Sequence, residues 1–171
     1  MRIGSLVIAA ALLTAPLTAA AQSWENYDYQ DAGFAVHFPA PPSVTTGVYK
    51  TTTGETAPAT IYSVRRDDII YTVTRADFTK LTLDGDKAIN DAVKSFEQLG
   101  KIQLDVDARI NRQYGHELSV GGKDGSRFTV AIFFFNHHLY QLQGQAMPPD
   151  PDRRSGQLIR FQQSLQFPFN D

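Results

Sequence analysis

The chain has 171 residues, no cysteine, and 16 basic against 18 acidic side chains, for a formal charge of −2. That length suits one domain with its own core, and the lack of cysteine excludes disulfides, thiol catalysis and a cysteine-borne lipid anchor. The near-balanced charge, with no lysine-rich run, gives no field for nucleic acid or for an anionic membrane surface.

The first residues speak to compartment. Met1-Arg2 is a short positive start, Leu6 to Leu13 is apolar, Pro16 breaks the run, and Ala19-Ala20-Ala21 supplies small residues for a peptidase. This predicts a cleaved signal peptide over residues 1–21, cut between Ala21 and Gln22. The apolar run falls short of the roughly 20 residues needed to span a bilayer. Residues 22–171 are expected to form a single globular domain with no integral membrane segment. A bacterial periplasm is the expected location, because small exported domains elsewhere lean on disulfides.

Trp24 to Tyr29 alternates aromatic and polar residues, Asp31-Ala32-Gly33 reads as a turn, and Phe34, Val36 and Phe38 share one strand face. Pro39, Pro41 and Pro42 end that strand. Val44–Thr53 and Ala57–Arg66 read as a hairpin about Gly54-Glu55, and Ile69–Phe78 as a further strand after the turn at Arg65 to Asp68. Short strands joined by turns predict an antiparallel meander.

The period changes at Asp84. Ala88, Ile89, Ala92, Val93, Phe96 and Leu99 follow helical three-and-four spacing, with Asp84 or Asp86 as N-cap and Gly100 expected to close the helix in a left-handed conformation. Strand alternation returns at Ile102, Leu104, Val106, Ala108 and Ile110. Tyr114–Val120 follows, then a glycine-rich turn at 121–125.

Phe128, Val130, Ile132 and Phe134 share one face of the next strand, and Thr129, Ala131, Phe133 and Phe135 the other. Apolar character on both faces predicts a strand covered on both sides. A reversal at Asn136-His137-His138 leads to a strand with Tyr140 and Leu142 on one face and Gln141, Gln143 and Gln145 on the other. After Met147-Pro148-Pro149, Asp150 is the expected N-cap of a closing helix with Pro151 at its first position. Leu158, Ile159, Phe161 and Leu165 are its expected buried face.

Two stretches carry a family resemblance. Tyr27, Phe34, Val36, Phe38 and Pro39 open the domain. Leu139-Tyr140-Gln141-Leu142, a proline-rich break and Ile159 to Leu165 close it. Together with the order of elements, they resemble small exported proteins of the Mog1/PsbP-like α/β/α sandwich class. The resemblance implies an α+β fold, a central antiparallel β-sheet with helices packed on its faces. It also implies an accessory or assembly-supporting role, and it brings no active-site motif to transfer.

The chemical candidates are few. His37, His116, His137 and His138 lack the spacing of a metal site, and His116, on the face of Tyr114, Leu118 and Val120, reads as a hydrogen-bonded interior residue. Asp105 and Asp107 share a strand face with Arg109 and read as solvated surface charge, although paired carboxylates are also the raw material of acid–base chemistry. The GGKDGS segment lacks the phosphate-loop pattern, and no GxSxG elbow occurs.

The sequence therefore leads to a non-enzymatic periplasmic binding protein with no catalytic residue, metal or cofactor, acting on a periplasmic protein or envelope component. Phe133, Phe135, Asn136, His137 and His138 form the expected contact surface: a polar turn beside an aromatic edge. Two alternatives stand. One is an envelope hydrolase, which requires a cleft gathering His116 or His137 with two carboxylates. The other is a carrier of a small apolar ligand, which requires a large enclosed apolar cavity.

Overall fold

The computed structural model describes residues 24–168, so the expected signal peptide and its cleavage site lie outside the described residues. β1 (Glu25–Tyr29) and β2 (Phe34–Phe38) pair antiparallel across a single 3-10 turn and form a two-stranded sheet of their own. β3 (Ser43–Lys50), β4 (Thr56–Arg66) and β5 (Ile69–Asp77) make an antiparallel meander. α1 (Gly85–Leu99) then crosses to the far edge of the main sheet, where β6 (Gly100–Ile110) begins. From there β7 (Gln113–Gly122), β8 (Arg127–Phe135) and β9 (His138–Ala146) step back inward until β9 meets β5. The result is a seven-stranded antiparallel sheet in the order β3-β4-β5-β9-β8-β7-β6, with β3 and β6 at its edges. α2 (Ser155–Gln162) follows, and the segment after it bridges back to β2 through Gln166 and Ala35.

Side-chain alternation on β8 divides the interior in two, as its two-faced pattern requires. Ala131, Phe133 and Phe135 join Phe34, Phe38, Tyr71, Leu142, Leu158 and Phe161 in a core shared with α2 and the β1–β2 pair. Phe128, Val130 and Ile132 join Leu118, Val120 and the buried stripe of α1 in the other. α1 forms because its apolar residues recur at helical spacing and because the Asp84 carboxylate accepts the Lys87 backbone N–H at 2.8 Å. α2 is seated by buried polar contacts as well as by Leu158 and Phe161. Gln162 Nε2 donates to the Val130 carbonyl at 2.7 Å, and the Thr129 hydroxyl donates to the Leu158 carbonyl at 3.1 Å.

The α+β character and the large antiparallel sheet agree with the sequence reading, with four differences in detail. The β1–β2 pair shares the α2 side of the main sheet, so that layer is mixed. Gly100 is extended (φ 178°), because it starts β6. A Cβ there would lie 2.1 Å from the Gly121 carbonyl oxygen, so the glycine serves close strand approach rather than a left-handed cap. Asp150 makes no side-chain cap: its carboxylate sits 3.6 Å from Arg153, and Pro151–Arg154 forms a 3-10 turn before α2 begins. Ile159, expected in the buried stripe, points outward and is 44% exposed, while Leu165 reaches the core from beyond the helix.

Candidate functional site

The expected contact surface divides on inspection. Phe133 is fully buried and Phe135 nearly so, and each packs on the ring of Phe167, at centroid distances of 5.9 and 5.3 Å. The exposed aromatic edge pictured at these two positions is therefore absent, because β8 is covered on both faces. Asn136 and His137 are exposed and form the two-residue reversal, with φ of 48° and 59°. Both take the left-handed conformation that a primed hairpin turn requires. His138 turns back: its Nδ1 lies 2.6 Å from the Asn136 carbonyl and its Nε2 3.8 Å from Asp77. The turn is polar and small.

Exposed large apolar side chains lie elsewhere. Among the described residues they are Val44 and Val48 on β3, Leu99, Leu104, Val106 and Tyr114 on or beside β6, and Ile159 on α2. All but Ile159 belong to the two ends of the sheet, and Ile159 leans over the β6 end. There, Leu104, Glu117, Ser119, Leu158 and Ile159, with Arg127 held by Gln103 and Asp152, line a groove of about 210 Å³ between the sheet edge and α2. Glu117 stands half-buried at its floor, with no hydrogen-bond or ion-pair partner among the described residues. Burial alone pushes its carboxyl above the ordinary value of 4.5. Among the described residues β6 has no strand on its outer side, so the backbone groups of every second residue of Gly100–Ile110 face outward unpaired by a strand.

The opposite face of the same edge holds the feature that sequence reasoning missed. The β6–β7 register sets Asp107 opposite His116 and Asp105 opposite Leu118. His116 Nδ1 reaches diagonally to Asp105 Oδ1 at 2.7 Å, while its Nε2 lies 3.9 Å from Asp107. His116 shares the face of Leu118 and Val120 as expected, but it sits at the rim of that face, partly exposed, and not in the interior. It borders an open groove of about 310 Å³ lined also by Asp86, Asn90, Asp107 and Tyr114. Arg109 stacks over the Tyr114 ring at 5.1 Å. The Asn111-Arg112 reversal, with Asn111 at φ 56°, fixes this register and was the available signal. His37 lies apart from it, its backbone N–H donating to the Ser164 hydroxyl at 3.1 Å. Among the described residues no group of three or more histidine, aspartate or glutamate side chains is arranged to hold a metal ion.

No protein-family model matches the sequence, and no curated protein matches it. Among solved structures, the solution structure of cyanobacterial PsbP (CyanoP) from Synechocystis sp. PCC 6803 is similar, with a TM-score of 0.58 at 11% identity. The match covers 91% of this chain and 99% of that one. The fold is PsbP-like. The PsbP-like architecture is thus reached at low sequence identity, because burial pattern and turn placement specify it more than particular residues do. No helix among the described residues is long and apolar enough to cross a membrane.

Proposed function

We propose that this chain is an exported accessory protein that works by binding another protein of the cell envelope, within a PsbP-like sandwich, and that its contact surface is the β6 edge. The observation that carries this reading is the meeting, at that one edge, of exposed apolar side chains, open backbone and a half-buried carboxyl that has no partner among the described residues. Isolated exposed apolar residues are ordinary, whereas a cluster bordering a groove is the usual mark of an interaction site. The likeness to a PsbP fold supports an accessory role by analogy of architecture only. The spaces between sheet and helices are occupied by Tyr71, Phe96, Phe133 and Phe161, which weighs against a carrier of apolar ligands. Affinity capture from the native compartment tests the reading, run with the wild-type chain and with Val106→Lys. A protein retained by the first and lost by the second is the expected result. Retention of nothing, with purified envelope extract in excess, counts against it.

One observation favours a second reading, the hydrolase. His116 lines the groove with its Nδ1 2.7 Å from Asp105 and its Nε2 3.9 Å from Asp107, and a general base oriented by a carboxylate is arranged in this way. The groove supplies carboxylates, an amide and a phenol, and none of its lining residues is a serine, threonine or cysteine nucleophile, so a water would have to be the attacking group. Hydrolysis of ester or phosphoester substrates that disappears in His116→Ala is the measurement that supports it.

A further inference from the structure

Resting on that binding reading and deepening it, we propose that the β6 edge accepts an extended strand of a partner protein in which basic and apolar residues alternate. Strand addition needs three things from the host: an open edge, room on both faces, and side chains that select the guest. Gly100–Ile110 supplies the edge, and its two faces differ in kind. Leu104 and Val106 point to the α2 side, where the groove continues toward Ile159. Asp105, Asp107 and Arg109 point to the α1 side; Arg109 is stacked on Tyr114 and Asp105 is met by His116, which leaves Asp107, its side chain 96% exposed, as the open charge of that face.

A strand laid along β6 would therefore place every second side chain against Leu104 and Val106 and the intervening ones beside Asp105 and Asp107. Apolar residues suit the first set and lysine or arginine the second, since cross-strand pairs of opposite charge are favourable and like charges directly opposite are not. On the apolar side, Glu117 lies one strand further in, directly behind Val106. It offers a second anionic point to a long basic side chain that spans the Val106 position.

The same charges argue against a second copy of this chain as the occupant. An antiparallel pairing of β6 with itself that packs Leu104 on Val106 of the other copy sets Asp105 opposite Asp105. The neighbouring register, centred on Val106, sets Asp105 opposite Asp107. In either case carboxylates face each other across the new pair. The bulge at Ile102/Leu104 and the charged side chains along the edge are devices by which edge strands avoid self-association. In these two registers the facing charges are acidic and repel a copy while still admitting a basic strand; a register centred on Ala108 would set Asp107 opposite Arg109, so the oligomeric state of the protein alone is part of the test. At the other edge, Val44 and Val48 are exposed without any acidic residue on β3, so that edge serves as the internal control.

The test is titration of the isotopically labelled protein with a peptide of alternating lysine and valine, followed by backbone amide shifts. The expected result is saturable change confined to Gly100–Ile110 and the groove-lining residues. The Asp105→Asn/Asp107→Asn variant should weaken binding about tenfold, the loss of two cross-strand charge pairs. A glutamate–valine peptide, or a lysine–valine peptide N-methylated along one edge, should not bind. Three results overturn the proposal: no change with the lysine–valine peptide, equal binding of the N-methylated peptide, and changes centred on β3. Dimerisation of the protein alone through β6 overturns it as well. If the peptide fails while affinity capture still yields a protein sensitive to Val106→Lys, the binding reading survives and only the basic-strand chemistry falls.

Discussion

Glu117 stands directly opposite Val106 across the β6–β7 pair, a half-buried carboxyl with no partner among the described residues, next to an exposed apolar side chain. Neither choice helps the isolated chain. An ionised group loses hydration in the groove, and a valine on an open edge loses nothing by being covered. Both become favourable once a strand with a cationic side chain covers them.

The raised Glu117 carboxyl has a definite consequence for stability. A carboxyl whose value is higher folded than unfolded binds its proton more tightly in the native state, so its contribution is complete below 4.5 and is lost as pH rises through the folded value. At neutral pH the ionised group is a small cost. Glu117→Gln should therefore be more stable than wild type at neutral pH, and the difference should vanish below the ordinary carboxylate range. Solvent screening of this half-exposed position limits the gain to less than about 1 kcal/mol. Urea denaturation at a series of pH values checks both sign and window.

The turn between β8 and β9 should behave as a turn and little more. His137 holds φ 59° with a side chain, a conformation that glycine takes freely. His137→Gly should leave the fold intact and raise its midpoint slightly, by less than about 1 kcal/mol, since an Asn-Gly reversal is the preferred chemistry of a primed hairpin. Phe133→Ala, two strand positions from the turn, should cost about 3–5 kcal/mol as a fully buried ring is removed. Thermal melts of the two variants separate an exposed polar reversal from the core beneath it.

Tyr140 ties the two sheets together. Its buried hydroxyl donates to the Ala32 carbonyl at 2.8 Å, and its ring packs on Phe34 and Phe167. Tyr140→Phe keeps the ring and strands the carbonyl, so it should destabilise by about 1–2 kcal/mol. Hydrogen exchange should quicken first in β1 and β2, which share no strand pairing with the main sheet among the described residues and whose Ala35–Gln166 bridge ties them to the segment after α2 instead.

Gly115 leaves no room for a side chain between β7 and β8. A Cβ there would lie 2.2 Å from the Ile132 carbonyl oxygen and 2.5 Å from the Phe133 ring. Backbone cannot yield as a flexible side chain can, so Gly115→Ala should cost about 1–3 kcal/mol or more. It should also disturb the neighbouring His116–Asp105 contact, visible as a changed His116 ring signal.

Much of the architecture was legible in the residues. The two-faced apolar run of β8, the one-sided pattern of β9 and the helical spacing of α1 each carry their own period, and periodicity is local information. What sequence could not supply was relational. His116 and Asp105 are eleven positions apart, and only the register of a particular hairpin makes them neighbours. Ile159 carries the right spacing for burial, yet the short α2 is rotated by Gln162 and Thr129, whose polar contacts with β8 and with the helix backbone fix its seating. Gly100 looked like a helix cap because the facing Gly121 backbone is twenty-one positions away. The phenylalanines at 133 and 135 were rightly read as covered by two layers, and that reading removes them from the contact surface with which they were also grouped.

The central claim is that this protein binds through β6 and not through the polar turn or β3. Photo-crosslinking in living cells measures this most directly, with the probe placed in turn at Leu104, Val48 and His137. The account predicts a discrete adduct with one protein from position 104, abolished by Asp105→Asn/Asp107→Asn, and none from positions 48 and 137. A discrete adduct from position 137 or 48, with none from 104, would contradict it.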